Sequence, residues 1–179
     1  DLAKIIPKEF KNKFIFIILG DYKLPRFLPG RLKTLAIQGK TLRDYAKSEN
    51  VSHMIKFMGH IKNPEKFIQE SNILIRPTRE YNPWGRDVLE AMSFGKAIIS
   101  VGSYNRFIKN GFNGLLQKEF DLQKLSEWLV YIAKNTEILN IYGKNSLAIV
   151  KNLNDPKRNA KKMEKFWINT YSKRDKKEI

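Results

Sequence analysis

The stretch RPTREYNPWGRDVLEAMSFGKAIISV, Arg76 to Val101, decides the fold. It closes an apolar run, Ile73-Leu74-Ile75, which predicts a buried strand. A polar loop containing Pro and Gly follows, Pro77 to Gly85. Val88, Leu89, Ala91 and Met92 then give a short helix its apolar residues, and Gly95 closes it. Ala97 to Val101 is a second buried strand. Strand, loop, helix, strand at this spacing is a βαβ unit, so the two strands are expected to be parallel and joined by a right-handed crossover.

Open parallel sheets bind ligands at the carboxyl ends of their strands, which places the loop Thr78 to Arg86 at the ligand. The helix that begins near Gly85 aims its free N–H groups into that loop, a setting for a phosphate. Gly85 lacks a Cβ, so an oxygen can approach the main chain. Glu90, about one turn into the helix, can accept hydrogen bonds from a ribose diol. A nucleotide fits this layout.

The segment NPWGRDVLEAMSFGKAII, Asn82 to Ile99, resembles the signature of the retaining GT-B glycosyltransferases of family 4. That signature pairs a glutamate two residues before an aromatic-Gly step with a second glutamate in a Glu-Ala-Met step. Phe16 to Asp21 (FIILGD), Ile55 to Gly59 (IKFMG) and Asn110 to Leu116 (NGFNGLL) resemble three further family segments, in the same order. The resemblance implies an α/β fold, a Rossmann-like parallel sheet sandwiched by helices, forming the C-terminal half of a GT-B fold. It implies that Glu90 holds the ribose. Asn82 stands where the first glutamate would contact the transferred sugar, with Glu80 two residues away. Asn keeps a donor and an acceptor for sugar hydroxyls but carries no charge. Arg106 is a second departure, at a place where the family commonly has an acid.

The resemblance further implies that the backbone of Gly59, His60 and Ile61 touches the nucleotide base, and that Thr78, Glu80, Pro83, Trp84, Gly85 and Arg86 line the donor site. Asn82 and Glu90 are the expected catalytic pair. By itself His60 reads as a turn or capping residue rather than a base, and the glycines of 111–116 as turn chemistry. The family's first strand of this domain, with the Arg and Lys implied to grip the diphosphate, is expected upstream of Asp1, as is the other GT-B domain. The fragment alone is therefore expected to bind nucleotide weakly and to catalyse nothing.

The chain has 179 residues and 42% hydrophobic content, enough for a buried core. It has no cysteine and two histidines, which excludes disulfides and Cys-based metal sites. No Asp-x-Asp pair occurs, so neither a metal nor any other cofactor is expected. The longest apolar runs are far short of a membrane span. The formal net charge is +16 and unevenly spread: +7 over 1–43, +3 over 44–150 and +6 over 151–179. A solvated lysine-rich surface explains such an excess, as does attraction to an anionic membrane; nucleic acid ranks last because no recognition motif accompanies the charge.

In chain order, residues 1–10 predict a short helix, Phe14 to Leu19 a central strand, and Tyr22 to Gly30 a loop with two prolines. Gly39 to Asn50 predicts a helix and Met54 to Met58 a strand. Asn63 is expected to cap a helix from Pro64 to Ser71, Asp121 and Thr136 to cap two more, and Asp155-Pro156 to start the last. Met163, Phe166, Trp167 and Tyr171 line one side of that last helix and lysines the other; packing on the core is favoured over membrane contact. The expected division is 1–155, a donor-binding domain, and 156–179, a basic amphipathic helix and tail.

The leading expectation is thus the donor half of a cytoplasmic hexosyltransferase, soluble or peripheral at the inner face of the membrane. It would move sugar from a nucleotide diphosphate to a glycan or lipid-linked acceptor, in surface polysaccharide or lipopolysaccharide synthesis. The alternative is a non-catalytic basic module of the same fold that docks on anionic lipid or nucleic acid. A sugar-nucleotide epimerase is a third reading, for which no His and carboxylate constellation is evident.

Overall fold

The computed structural model describes residues 1–24, 30–78 and 80–174; most of the two-proline loop and the last residues of the tail lie outside the described residues. It contains five strands, β1 (Phe16–Leu19), β2 (Ile55–Gly59), β3 (Ile73–Arg76), β4 (Ala97–Val101) and β5 (Gly114–Gln117). The helices are α1 (Leu2–Ile5), α2 (Gly30–Ile37), α3 (Leu42–Ser48), α4 (Glu65–Glu70), α5 (Arg86–Ser93), α6 (Leu122–Lys134), α7 (Ile138–Leu153) and α8 (Pro156–Arg174). All strand pairings are parallel, as the βαβ reading requires.

The strands form two ladders rather than one continuous sheet, β1–β2 and β3–β4–β5. This corrects the expectation for Phe14 to Leu19. Among the described residues β1 is bonded on one side alone, to β2, and Ile15 and Ile17 are 56% and 40% exposed. A central strand would be covered on both faces.

β4 is that covered strand: all five of its residues are buried. Its Ala97, Ile99 and Val101 join Leu125, Leu129 and Ile132 of α6 and Ala3 and Ile6 of the N-terminal segment in one cluster. Phe16, Ile55, Phe57, Ile73 and Ile75 of both ladders pack against the same cluster, so side chains unite what hydrogen bonds leave apart. Ile98 faces the other way, onto Val88, Ala91 and Met92 of α5 and Ile149 and Val150 of α7. Burying each such Ile contributes about 1.5–3 kcal/mol, so the β4 core is the principal anchor of the site.

Local signals set several helix ends. Thr41 and Asp44 form a reciprocal capping box at α3, and the N–H and hydroxyl of Thr41 hold the Asp44 carboxyl below its ordinary value. Asp121 caps α6 by accepting from the Lys124 N–H at 3.1 Å, as expected. At α4 and α7 the capping positions fall instead on Pro64 and Glu137, neither with a side-chain cap, so Asn63 and Thr136 do not serve there. Gly30–Ile37 is helical, an element the sequence reading did not anticipate.

The last helix does not pack on the core. Met163, Phe166, Trp167, Ile168 and Tyr171 are each between 49% and 69% exposed, which corrects the core-packing expectation. The apolar stripe is present, but no described element covers it. No helix among the described residues is long and apolar enough to cross a membrane.

Candidate functional site

β3, only partly buried where the sequence predicts a buried strand, and fully buried β4 carry the site; β3 runs into the loop that leads to α5, and the residues after β4 pack against that loop. Arg76 closes β3 and turns its guanidinium back over that loop. Its Nη1 meets Asp87 Oδ2 at 2.6 Å and its Nε donates to the Asn82 carbonyl at 3.2 Å. Ser100, fully buried in β4, holds the loop from below: its hydroxyl lies 2.9 Å from the Pro83 carbonyl and 3.2 Å from that of Arg76. Inside the loop the Thr78 hydroxyl accepts from the Glu80 N–H at 3.1 Å. Tyr81 takes φ 54°, a left-handed conformation strained for an aromatic residue, where the chain turns toward Pro83. Gly102 (φ 145°) closes against this turn; a Cβ there would lie 2.5 Å from both Pro83 Cδ and the Tyr81 oxygen.

The helix that follows starts at Gly85 with no side-chain cap, so its first N–H groups remain open to an anion. Gly85 itself is extended, with φ 180°. A Cβ there would meet the Arg76–Asp87 pair, 2.6 Å from Asp87 Oδ1 and 3.2 Å from Arg76 Nη1, so a larger residue would displace those side-chain ends. Buried Val88, Ala91 and Met92 fix the helix face, and Glu90 lies at its edge, about one-third exposed. Arg86 Nε pairs with Glu90 Oε1 at 3.3 Å, and the Arg86 side chain is 91% exposed. Such an exposed pair is worth about 0.3–0.5 kcal/mol, little hindrance to a ligand that competes for the carboxylate. Glu90 and Arg86 line a shallow, open groove of about 400 Å³ with Val150 and Lys151 of α7 and Asn154 just beyond that helix on its other side.

Of the expected donor residues, Thr78, Glu80, Asn82, Trp84, Gly85, Arg86 and Glu90 thus fall on one continuous loop and helix start. Asn82 and Glu80 are exposed. Pro83 is buried and serves as the loop's footing. Gly59 ends β2 on the other ladder, its carbonyl accepting from the Gly20 N–H at 2.7 Å, and His60 and Ile61 follow it. His60 is exposed. Among the described residues no group of three or more His, Asp or Glu side chains could hold a metal ion.

Sequence reasoning missed the supports. Arg76, Asp87 and Ser100 were not singled out, although a lone charge ending an apolar strand with an acid eleven residues on was a legible signal. It also missed that Trp84 packs at a tilt against Phe107 (centroids 5.4 Å apart) and Tyr104 (6.2 Å), an aromatic cluster joining the loops after β3 and β4.

Parallel strands flanked by helices, with a helix start that lacks a side-chain cap after β3, define an α/β fold of Rossmann-like type. The chain belongs to the glycosyl transferases group 1 family, whose model matches residues 1–148. An uncharacterized glycosyltransferase of Methanocaldococcus jannaschii is 26% identical over 136 residues, which is 74% of this chain and 34% of that protein. Among solved structures, Anabaena HepE in complex with UDP superposes with a TM-score of 0.71 at 17% identity, over 92% of this chain and 43% of that one. Sucrose-phosphate synthase of Thermosynechococcus elongatus gives 0.68 at 17% identity, over 96% of this chain and 42% of that one. The chain therefore spans from a third to under half the length of these relatives.

Proposed function

We propose that this chain is the donor-binding part of a retaining GT-B hexosyltransferase acting on a nucleotide diphosphate sugar. The observation that carries the reading is the uncapped start of α5, set on a clamped loop with Glu90 one turn behind it. The diphosphate sits on the free N–H groups and near Arg86, the ribose diol takes the Glu90 carboxylate from Arg86, and Asn82 with Glu80 faces the sugar. Charge developing on the leaving diphosphate is met by main-chain N–H groups and cations, an electrostatic role that needs no metal. The acceptor is a glycan or a lipid-linked sugar, supplied with its binding surface by the other GT-B domain, in surface polysaccharide or lipopolysaccharide synthesis. Alone, this chain binds nucleotide weakly and does not catalyse.

The test is ligand-observed NMR with UDP, GDP, ADP and dTDP on the chain and on Glu90→Ala; UDP comes first because it is the ligand of the HepE complex. Millimolar affinity, about −4 kcal/mol, is sufficient for detection. One nucleotide bound, and lost in the variant, is the expected result. Binding that survives Glu90→Ala would sink the ribose assignment.

The exposed stripe of α8 favours a second reading of where the protein works. Aromatic and aliphatic side chains on one side and lysines on the other suit an interfacial helix on an anionic membrane, which would keep the enzyme peripheral at the cytoplasmic face. A non-catalytic membrane-docking module would share that feature and lack the Glu90-dependent nucleotide binding.

A further inference from the structure

We propose that a second cavity, beside the donor loop, binds an anionic group, phosphate or carboxylate, carried by the acceptor. The cavity measures about 790 Å³ and lies between the β4–β5 loop, the end of β5 and the end of α7. Its polar lining is Ser103, Asn105, Arg106, Lys109, Asn110 and Lys118: three cations, three neutral hydrogen-bonding side chains and no carboxylate. Asn110 uses its carbonyl oxygen on the Leu116 N–H at 3.1 Å, which leaves its NH₂ end to donate. The Lys109 ammonium rests 5.9 Å from the Phe112 ring centre, a weak exposed contact that it can leave. No ion pair with a described carboxylate engages Arg106, Lys109 or Lys118.

Three cations line one concavity with no carboxylate in its lining, a setting that attracts an anion. Position supplies the second half of the inference. Gly102 and Ser103 follow the carboxyl end of β4 and Lys118 follows β5, so the cavity opens at the strand ends where α/β sheets bind ligands. It shares no lining residue with the groove of Arg86 and Glu90, yet its loop touches the donor loop through Trp84 on Phe107 and Tyr104. A group held here is beside the nucleotide and separate from it. The word acceptor rests on the glycosyltransferase reading; the anion site does not.

The experiment is a backbone amide NMR titration of the chain with inorganic phosphate and with glucuronate, against glucose and sodium chloride as controls. Saturable shifts at Ser103, Arg106, Asn110 and Lys118 are expected with either anion and with neither control. Arg106→Glu, at an exposed position that should leave the fold intact, weakens phosphate binding about tenfold, since it removes one attraction and adds one repulsion. Lys118→Gln provides a second variant with a smaller loss. In Arg106→Glu the UDP shifts at Gly85 to Glu90 stay as they were. Displacement of phosphate from these amides by UDP would overturn the proposal, because the site would then be the donor's own. Shifts that rise linearly and match those of chloride, or a charge reversal without effect, would overturn it too. Loss of UDP binding with phosphate binding intact would instead sink the donor-site reading and leave this one standing.

Discussion

Gly143 on α7 lies against the turn between α5 and β4, and alanine there sets two effects of opposite sign against each other. A Cβ at Gly143 would come 2.1 Å from the Gly95 carbonyl oxygen and 3.1 Å from its carbon. Ordinary contact needs about 3.5 Å, so the helix must move by roughly 1 Å, and the obstacle is backbone rather than a side chain that can swing away. Such overpacking costs up to about 3 kcal/mol. Alanine in place of glycine inside a helix returns about 1 kcal/mol. The net for Gly143→Ala is a loss of about 2 kcal/mol, which lowers the unfolding midpoint of a chain this long by roughly 4–8 °C. Thermal unfolding followed by far-UV circular dichroism measures it. Asn140→Ala, exposed on the same helix, collects only the propensity term and should shift the midpoint slightly upward. A Gly143→Ala midpoint equal to or above that of the parent chain would refute the packing account, because propensity would then outweigh contact.

Two further outcomes are expected. Ser100→Ala strips a buried donor from the Pro83 carbonyl, costs about 1–3 kcal/mol and speeds amide hydrogen exchange in the loop after β3; a rise in stability would show that the hydroxyl does not hold the loop. Phe166→Ala with Trp167→Ala in α8 leaves the unfolding midpoint unchanged within about 0.5 kcal/mol and abolishes salt-sensitive co-sedimentation with phosphatidylglycerol vesicles; failure of the parent chain to sediment would remove the membrane reading.

The sequence was most legible where local and tertiary demands coincide. β3 and β4 are continuous apolar runs bounded by a Pro-containing loop and Gly95, and both strands appear with the expected ends. The loop between them is read equally well, because Gly85 at a strand-to-helix turn and the helix that follows leave few alternatives. Three things were not readable. The split into two ladders depends on which strand lies beside which, and periodicity encodes faces, not neighbours. α8 carries an amphipathic pattern that states a need for a partner without naming one, so core packing and exposure look alike in sequence. α2 was hidden because the prolines just before Gly30 and the mixed composition of its own turns read as loop. Within the candidate site, the exposed positions expected to face a ligand came from pattern. The Arg76–Asp87 clamp and the Ser100 support are long-range contacts that only folding brings together.

The close approach of Gly102 to Pro83 and Tyr81 has a consequence for redesign. Any side chain at position 102 would collide with the turn of the donor loop, so that position is closed to variation, and the loops after β3 and β4 must shift together or not at all. Diversity in this region is therefore best spent on the exposed neighbours Asn105 and Arg106, which take no part in the aromatic contact between Tyr104 and Trp84. A mutational library across this region should accordingly show position 102 depleted of substitutions, like the buried strand before it, and tolerance only at the exposed positions 105 and 106.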